Sequence, residues 1–345
     1  MVRVLKQYWQ HGLVAGLMLM LAIASPLLAQ NKVGTTAGQF LKIGVGPRAE
    51  SMGEAYVAVA NDVSSIYWNP AGTATLQENQ IQFGYNDWFM DVVYNHAYGA
   101  FPVPRFGTVG IQVSSLTMGD MKVRTPEKQE GTGEYFTASD ITMGLNYARS
   151  LTDRFAIGFN FKYIGENIWH MNAHSFALDV GTLFTTQFNG MRLGMSISNF
   201  GSKMQMSGRD ALVKYDVAPE LYGNNPNINA NLQMGQWSLP LIFRLGVAMD
   251  VIKSNFITTT VAMDAIHPND NTEYVNTGVE VKFLNNVFLR AGYKSLFNDR
   301  YAERATVGAG VRLNLFSGSS IMIDYSYSDV NYLMPIQRFA VSLGM

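Results

Sequence analysis

Three motifs in the sequence contain residue types that could bind a metal ion or a nucleotide. His170-Met-Asn-Ala-His174 places two imidazoles four residues apart, a spacing that ligates a metal when it lies on a helix. His267-Pro-Asn-Asp-Asn271 offers oxygen atoms suited to Ca²⁺, and Gly44-Val-Gly-Pro-Arg-Ala49 loosely fits the string GxGxxA. The first lies in a predicted surface loop, the second has ordinary turn chemistry, and the third lacks the flanking strand and helix of a nucleotide site. We therefore expect no cofactor and no metal site, with calcium binding at the second motif left open.

Catalytic chemistry is poorly represented in the chain. There is no cysteine, which excludes thiolate metal sites, disulfides and cysteine nucleophiles. Four histidines lie beyond residue 29, and none has the nucleophile and orienting group that hydrolysis requires in a recognisable arrangement. A net charge of −1 offers no basic patch for nucleic acid. The sequence predicts a protein that is not an enzyme and that binds no nucleic acid.

The first 29 residues have the features of a secretory signal peptide. Arg3 and Lys6 precede the apolar run 12–24, and a small residue, Ala29, follows a proline-containing break. The run is shorter than the ~20 residues that span a bilayer, so we expect cleavage after Ala29 rather than anchoring. No other segment approaches 18 apolar residues, so any membrane crossing must use strands.

From residue 81 onward the chain alternates apolar and polar residues with a period of two, which is typical of strands with one apolar face. Charged residues make up only 15% of the chain and aromatic residues 12%, which also favours a membrane barrel over a soluble enzyme. Fourteen runs follow this pattern: 81–87, 92–101, 106–118, 137–150, 154–168, 174–187, 191–200, 239–251, 255–266, 273–284, 287–296, 302–315, 320–330 and 337–345.

The connections between these runs alternate in length. Those after even-numbered runs are short, whereas those after odd-numbered runs are mostly longer and reach 119–136 and 201–238. An even number of strands, joined by short turns at one end and by long loops at the other, is typical of outer-membrane barrels. We predict an all-β fold, a fourteen-stranded antiparallel transmembrane β-barrel over 81–345 in the bacterial outer membrane. The alternative is an exported soluble β-sandwich, which fits so many long strands less well.

Five charged residues on the polar faces indicate which side points inward. A charge facing lipid near the bilayer midplane costs ~2–4 kcal/mol, so we expect these side chains to face the lumen. They are Arg244, Asp250, Glu280, Arg312 and Asp324.

Residues 30–80 do not follow the strand pattern and are rich in glycine and small residues. A lumen enclosed by fourteen strands is too wide for its own side chains to fill. We therefore predict that this segment is a plug inside the barrel. Within it, Asn69, Pro70, Ala71 and Gly72 form a turn whose shape is set by the fixed φ of proline and the freedom of glycine.

The connection 201–238 is a candidate partner-binding loop. It contains Met204, Met206, Met234 and Trp237, and methionine-rich surfaces suit adaptable contacts. Packing of the loop onto the barrel mouth explains the same residues equally well, and both interpretations stay open.

Several ungapped segments resemble the PorV/PorQ family. The first runs from Phe40–Ala49 through to Tyr67–Gly72. The second is Leu193–Met204, and the third is Asp264–Asn271 together with Gly278–Glu280. The resemblance covers nearly all of the chain after residue 29. The family is similar to the FadL-type transporters of hydrophobic compounds, which are fourteen-stranded barrels with an N-terminal hatch carrying Asn-Pro-Ala, here Asn69-Pro70-Ala71. One departure is the final residue, Met345, where barrel-assembly signals usually end in an aromatic residue.

This resemblance implies an outer-membrane partner of type IX secretion. Such a protein receives secreted cargo by its C-terminal domain and passes it to a surface-attachment machinery, so cargo and secretion subunits are the implied partners besides outer-membrane lipid. The alternative is FadL-like uptake of a hydrophobic small molecule.

Overall fold

The computed structural model describes residues 33–296, 303–315, 318–330 and 334–345. The expected signal peptide, residues 1–29, lies outside the described residues. No helix among those described is long and apolar enough to cross a bilayer.

Among the described residues, fourteen long strands and the two-residue strand Ser207–Gly208 form one antiparallel sheet, in which each long strand pairs with its neighbours in sequence. The first and last strands also pair, with Phe83 opposite Val341, so the sheet closes into a barrel. The fourteen-stranded barrel predicted from the alternation is confirmed, with strand ends within about three residues of those expected. The strands are β1 Gln80–Asp87, β2 Val93–Val103, β3 Gly107–Thr117, β4 Ala138–Thr152, β5 Phe155–Ile168, β6 Met171–Thr185, β7 Arg192–Gly201, β8 Ile242–Lys253, β9 Ile257–Pro268, β10 Tyr274–Phe283, β11 Val287–Leu296, β12 Glu303–Asn314, β13 Ser320–Val330 and β14 Ile336–Gly344.

Neighbouring residues on one strand show how the alternation sorts side chains. Arg244 in β8 is 5% exposed, whereas the next residue, Leu245, is 42% exposed. The same contrast separates buried Asp324 from exposed Ile323 in β13. Polar side chains thus point into the barrel and apolar ones cover its outside, which is the arrangement that a surrounding bilayer stabilises.

The connections define two ends of the barrel. At the short-turn end, strands are joined by turns such as 104–106, 153–154 and 284–286. At the long-loop end lie the connections 118–137 and 202–241. In outer-membrane barrels the short turns face the periplasm.

One connection at the long-loop end differs from the expectation. Strand β6 begins at Met171, so only Trp169 and His170 join it to β5. Trp169 takes a positive φ of 52°, which allows the chain to reverse in two residues. His174 therefore lies within a strand rather than in a loop with His170. The two histidines are four residues apart in sequence but do not lie on a helix.

Residues 33–79, here called the N-terminal segment, cross the barrel from one end to the other. The amide of Ala37 donates to the carbonyl of Ser238 at the long-loop end (3.0 Å), and Asn79 pairs with Met345 at the short-turn end. The segment contains four short helical stretches, which are two 3₁₀ turns and two α-helices. These are a 3₁₀ turn at Gln39–Lys42, α1 at Pro47–Ser51, α2 at Ser65–Trp68 and a 3₁₀ turn at Pro70–Thr75.

Hydrogen bonds join the N-terminal segment to strands around the ring. Its partners include Asn146 in β4, the Thr182 carbonyl in β6, Asp264 in β9 and Thr306 in β12. Most residues between 45 and 73 are completely buried. The segment therefore lies among the inward-facing side chains of the barrel.

Candidate functional site

The predicted turn at residues 69–72 is a point of contact between the N-terminal segment and the barrel wall. The Asn69 side-chain amide donates to the carbonyls of Val57 (2.9 Å) and Thr182 (3.0 Å). Its oxygen accepts from the Ala71 amide (3.2 Å), the usual role of a residue that caps a helix. All three of these partners of Asn69 are backbone groups. Pro70, which has no amide hydrogen to leave unpaired, is the first residue of the 3₁₀ turn.

Glycines on the barrel wall allow the N-terminal segment to approach the strands closely. A side-chain carbon at any of them would lie less than 3.0 Å from an atom of the segment, nearer than real Cβ atoms come to neighbours. The backbone of the segment thus packs directly on that of the strands. These glycines are Gly158, Gly181, Gly194, Gly278 and Gly292.

An ion-pair chain links the segment to strands β10, β11 and β13. Glu280 accepts from Arg48 through both of its oxygens (2.9 Å each) and from the Nε of Arg290 (2.7 Å). Arg290 also pairs with Asp324 (2.6 Å), and Arg48 with Asp62 (2.9 Å). Because buried charges are expensive unless they are paired, this chain fixes the position of the segment relative to three strands.

Asp62 has several donors within the segment. Its Oδ2 accepts from the Tyr56 phenol (2.7 Å) and from Arg48 (2.9 Å). Its Oδ1 accepts from the amide and the hydroxyl of Ser64 (2.9 and 2.5 Å). Both oxygens of this carboxylate are thus satisfied.

A second buried cluster surrounds Glu50 in α1. Its Oε2 pairs with Lys294 (2.8 Å) and Arg338 (3.2 Å), and Lys294 also pairs with Glu54 (2.8 Å). Sequence reasoning did not single out Lys294, Arg338 or Arg290. The alternation could have identified them, because each lies on the inward-facing side of its strand, as the predicted inward charges do.

The remaining predicted inward charges have different neighbours. Arg244 donates to Ser198 (3.0 Å) and lies over the Trp68 ring at 5.4 Å from its centroid. Asp250 pairs with Arg192 (3.0 Å). Arg312 is half-buried and lies 5.8 Å from the centroid of the Phe288 ring.

The structure adds Asp264 to this set. Its Oδ2 accepts from the amides of Tyr56 (2.7 Å) and Val57 (2.8 Å), so one buried carboxylate holds two consecutive backbone groups of the segment. The resemblance included this residue, but nothing local in the sequence indicates its partners.

Asp270 holds the start of the segment at the long-loop end. Its Oδ2 accepts from Thr36 (2.8 Å), Gln39 (2.9 Å) and Lys42 (2.9 Å). Burial opposes ionisation of this carboxyl, but these three donors keep the pKa of Asp270 below its ordinary value. Because the pKa is lower when folded than when unfolded, the contact stabilises the fold above the unfolded pKa of about 3.9 and is lost as pH falls through the folded value.

We expect Asp270→Asn to loosen the start of the segment at neutral pH. Loss of a charge-assisted contact that is partly open to solvent is worth about 1 kcal/mol, or roughly a fivefold change in opening. At neutral pH, trypsin cleavage after Lys42 should accelerate accordingly. Glu273→Gln, an exposed acid in the same connection, is the control. Equal cleavage of Asp270→Asn and wild type at neutral pH would contradict this role.

The predicted partner-binding loop divides into buried and exposed parts. Met204 is 1% exposed and packs in a cluster with Leu239, and Met206 packs on the same cluster. Met234 is half-buried, while Trp237 is 52% exposed. Met204 therefore packs the base of the loop onto the barrel mouth, while partner binding by this loop stays a prediction.

Comparison with known proteins decides the family. A family model described as type IX secretion system protein PorV matches residues 27–268. The chain belongs to the PorV family. The PorV match includes the 69–72 turn, strands β1 to β9 and the whole 202–241 connection. No curated protein sequence matches the chain significantly.

Solved structures with the same fold include transporters of aromatic hydrocarbons. The CymD monoaromatic hydrocarbon channel is 10% identical, with a TM-score of 0.56 over 88% of this chain and 97% of its own. The toluene transporter TodX of Pseudomonas putida is 12% identical, with a TM-score of 0.54 over 87% and 98%. A Pseudomonas aeruginosa FadL homologue is 13% identical, with a TM-score of 0.50 over 85% and 95%. This PorV-family chain is thus an outer-membrane β-barrel with a FadL-like fold.

Proposed function

We propose that this protein is an adaptor of type IX secretion whose N-terminal segment closes the lumen. At its long-loop end it binds the C-terminal domains of secreted proteins or subunits of the secretion machinery. The observation that carries the proposal is the 202–241 connection, which lies inside the family match and presents apolar side chains to solvent. Exposed apolar patches of this kind mark protein-binding surfaces.

The apolar surface lies on a hairpin within that connection. Leu212–Tyr215 pairs with Ile228–Asn231, and the residues between them form its tip. Large apolar side chains are exposed on the hairpin and its tip: Leu212, Tyr215, Val217, Leu221, Tyr222 and Ile228. Tyrosine and leucine supply large contact areas that a partner can desolvate.

The base of this loop is held to the barrel. Met204–Gln205 pairs with Gln236–Trp237, and Ser207–Gly208 adds to the edge of β6. Arg209 and Asp210 both contact His170 in the tight turn after β5. A fixed base presents the hairpin in one orientation, which lowers the entropy cost of binding a partner.

The alternative function is uptake of a hydrophobic small molecule. It is favoured by the fold shared with hydrocarbon channels and by an apolar cavity of about 470 Å³ near the long-loop end, lined by Phe243, Leu245 and Leu296 among others. Against it, the contacts between the N-terminal segment and the wall include buried ion pairs that an apolar solute would have to separate.

Substitution of the hairpin tip tests the two functions. We expect Leu221→Ser with Tyr222→Ser to weaken partner binding more than about tenfold, since central apolar contacts dominate interface energies. In cells, cargo with C-terminal signals should then accumulate in the periplasm while the barrel still assembles. Asn227→Ser, at an exposed polar position of the same tip, is the control. Normal secretion with impaired uptake of hydrophobic solutes would instead support the alternative.

A further inference from the structure

A cavity of about 460 Å³ opens at the short-turn end, between the N-terminal segment and strands on the β7–β14 side of the barrel. Its rim includes Asn285 in a short turn, Ser320 at the start of β13 and Gly344 at the end of β14. This end is opposite to the long loops, so the cavity is separate from the proposed partner-binding surface.

The cavity has five acidic and five basic side chains in its wall. Most of the acidic groups have ion-pair partners, whereas several basic groups have donors without a partner in the part of the chain that the structure describes. Four of the acids are in ion pairs: both oxygens of Glu280 accept from arginines, and Asp62, Asp250 and Asp324 each pair with one. The fifth, Glu78, accepts from Gln80 at 3.5 Å. Four of the five carboxylates are therefore already paired with arginines.

Several basic groups keep unused donors. The Nη2 of Arg290 is buried and has no hydrogen-bond partner among the described residues, although the rest of this guanidinium is paired. The Nε of Arg312 and that of Arg192 are also buried without a partner there. Lys282 lies in the same wall and makes no ion pair within the described part of the chain. Buried guanidinium N–H groups without acceptors are costly, so this wall favours an added acceptor.

The donors are grouped around one ring. Arg290 lies 5.3 Å and Arg312 5.8 Å from the centroid of Phe288, one guanidinium from the same strand and one from β12. Lys282 is directly opposite Phe288 in the β10–β11 register. Two guanidinium groups and one ammonium thus border a small apolar surface, a geometry that suits a compact anion with several acceptor oxygens.

We infer that this cavity binds an oxyanion group, a carboxylate or a phosphate, that enters from the short-turn end. Arg312 and Lys282 are its principal ligands, with the free N–H of Arg290 as a third donor. Ion pairs to Glu280 and Asp324 keep Arg290 in place whether or not the anion is bound. Through Arg290, the site connects the periplasmic end of the barrel to the ion-pair chain that includes Arg48 of the N-terminal segment.

Titration of the purified, detergent-solubilised barrel with sodium phosphate and with sodium acetate, at constant ionic strength in chloride, tests the inference. We expect the unfolding temperature of wild type to rise with one or both anions and not with chloride. Arg312→Gln should weaken binding at least about tenfold, because a charge-assisted hydrogen bond is lost. Tighter binding of phosphate indicates a tetrahedral group and tighter binding of acetate a carboxylate; either supports the site.

Two further variants keep the test decisive. Lys282→Gln should also weaken binding, and it serves in place of Arg312→Gln if that variant fails to assemble. Arg154→Gln, an exposed arginine in the short turn 153–154 at the same end, should bind as wild type does. No stabilisation of wild type beyond that by chloride would overturn the inference, because the cavity then holds water only. Equal binding by wild type, Arg312→Gln and Lys282→Gln would overturn it as well.

Discussion

An arginine at position 247 is expected to prevent most of the protein from assembling in a bilayer. Val247 lies at the middle of β8, points outward and is 39% exposed. Its neighbour across the strand pair, Met263, is also exposed, so the surroundings are apolar. A charged side chain facing lipid near the midplane costs ~2–4 kcal/mol, which is a large part of the stability of a folded protein.

Folding into liposomes, followed by electrophoresis without heating, measures the assembled fraction of each variant. Asn255→Arg is the matched control, because it introduces the same side chain in the exposed turn between β8 and β9. Near the interface the penalty is only about 0–1 kcal/mol, so this variant should assemble normally. Equal yields for Val247→Arg and Asn255→Arg would mean that the outer face of β8 does not meet lipid.

The strands were predictable because a barrel wall imposes a period of two on every strand. The choice of inward face also followed, since Glu280 and Asp324 lie on the side opposite to the apolar residues. The tight turn at Trp169 and His170 was missed because neither residue is a common turn former. The shape of this turn depends on the positive φ of Trp169, which the sequence does not predict.

The contacts of the N-terminal segment were beyond sequence reasoning. Arg48 is separated from Glu280 by 232 residues, and Glu50 is separated from Lys294 by 244. A single sequence predicts the face of the sheet on which a strand residue lies. It does not predict which residue of an irregular segment inside the barrel lies at the same level along the barrel axis. Pairing over such separations is set by the closed sheet and not by local pattern.

Deleting residues 34–72 is expected to give a barrel that assembles and conducts ions. The pairs from Arg290 to Glu280 and to Asp324 run between strands and survive the deletion. Lys294 and Arg338 would lose Glu50, but water entering the lumen would solvate them, so the wall need not collapse. A fourteen-stranded barrel without its interior segment encloses a wide lumen. Planar-bilayer recordings should change from closed to persistently open.

A smaller change in the same contact tests whether the segment itself closes the lumen. A side chain at Gly292 would collide with the backbone at Gly53, so Gly292→Leu should displace the segment and cause intermittent conductance. Ala291→Leu, on the outer face of the same strand, adds the same side chain toward lipid and should stay closed. If the deletion variant assembles but remains closed, the segment does not seal the barrel. If the deletion variant does not assemble and Gly292→Leu stays closed, the segment serves folding alone.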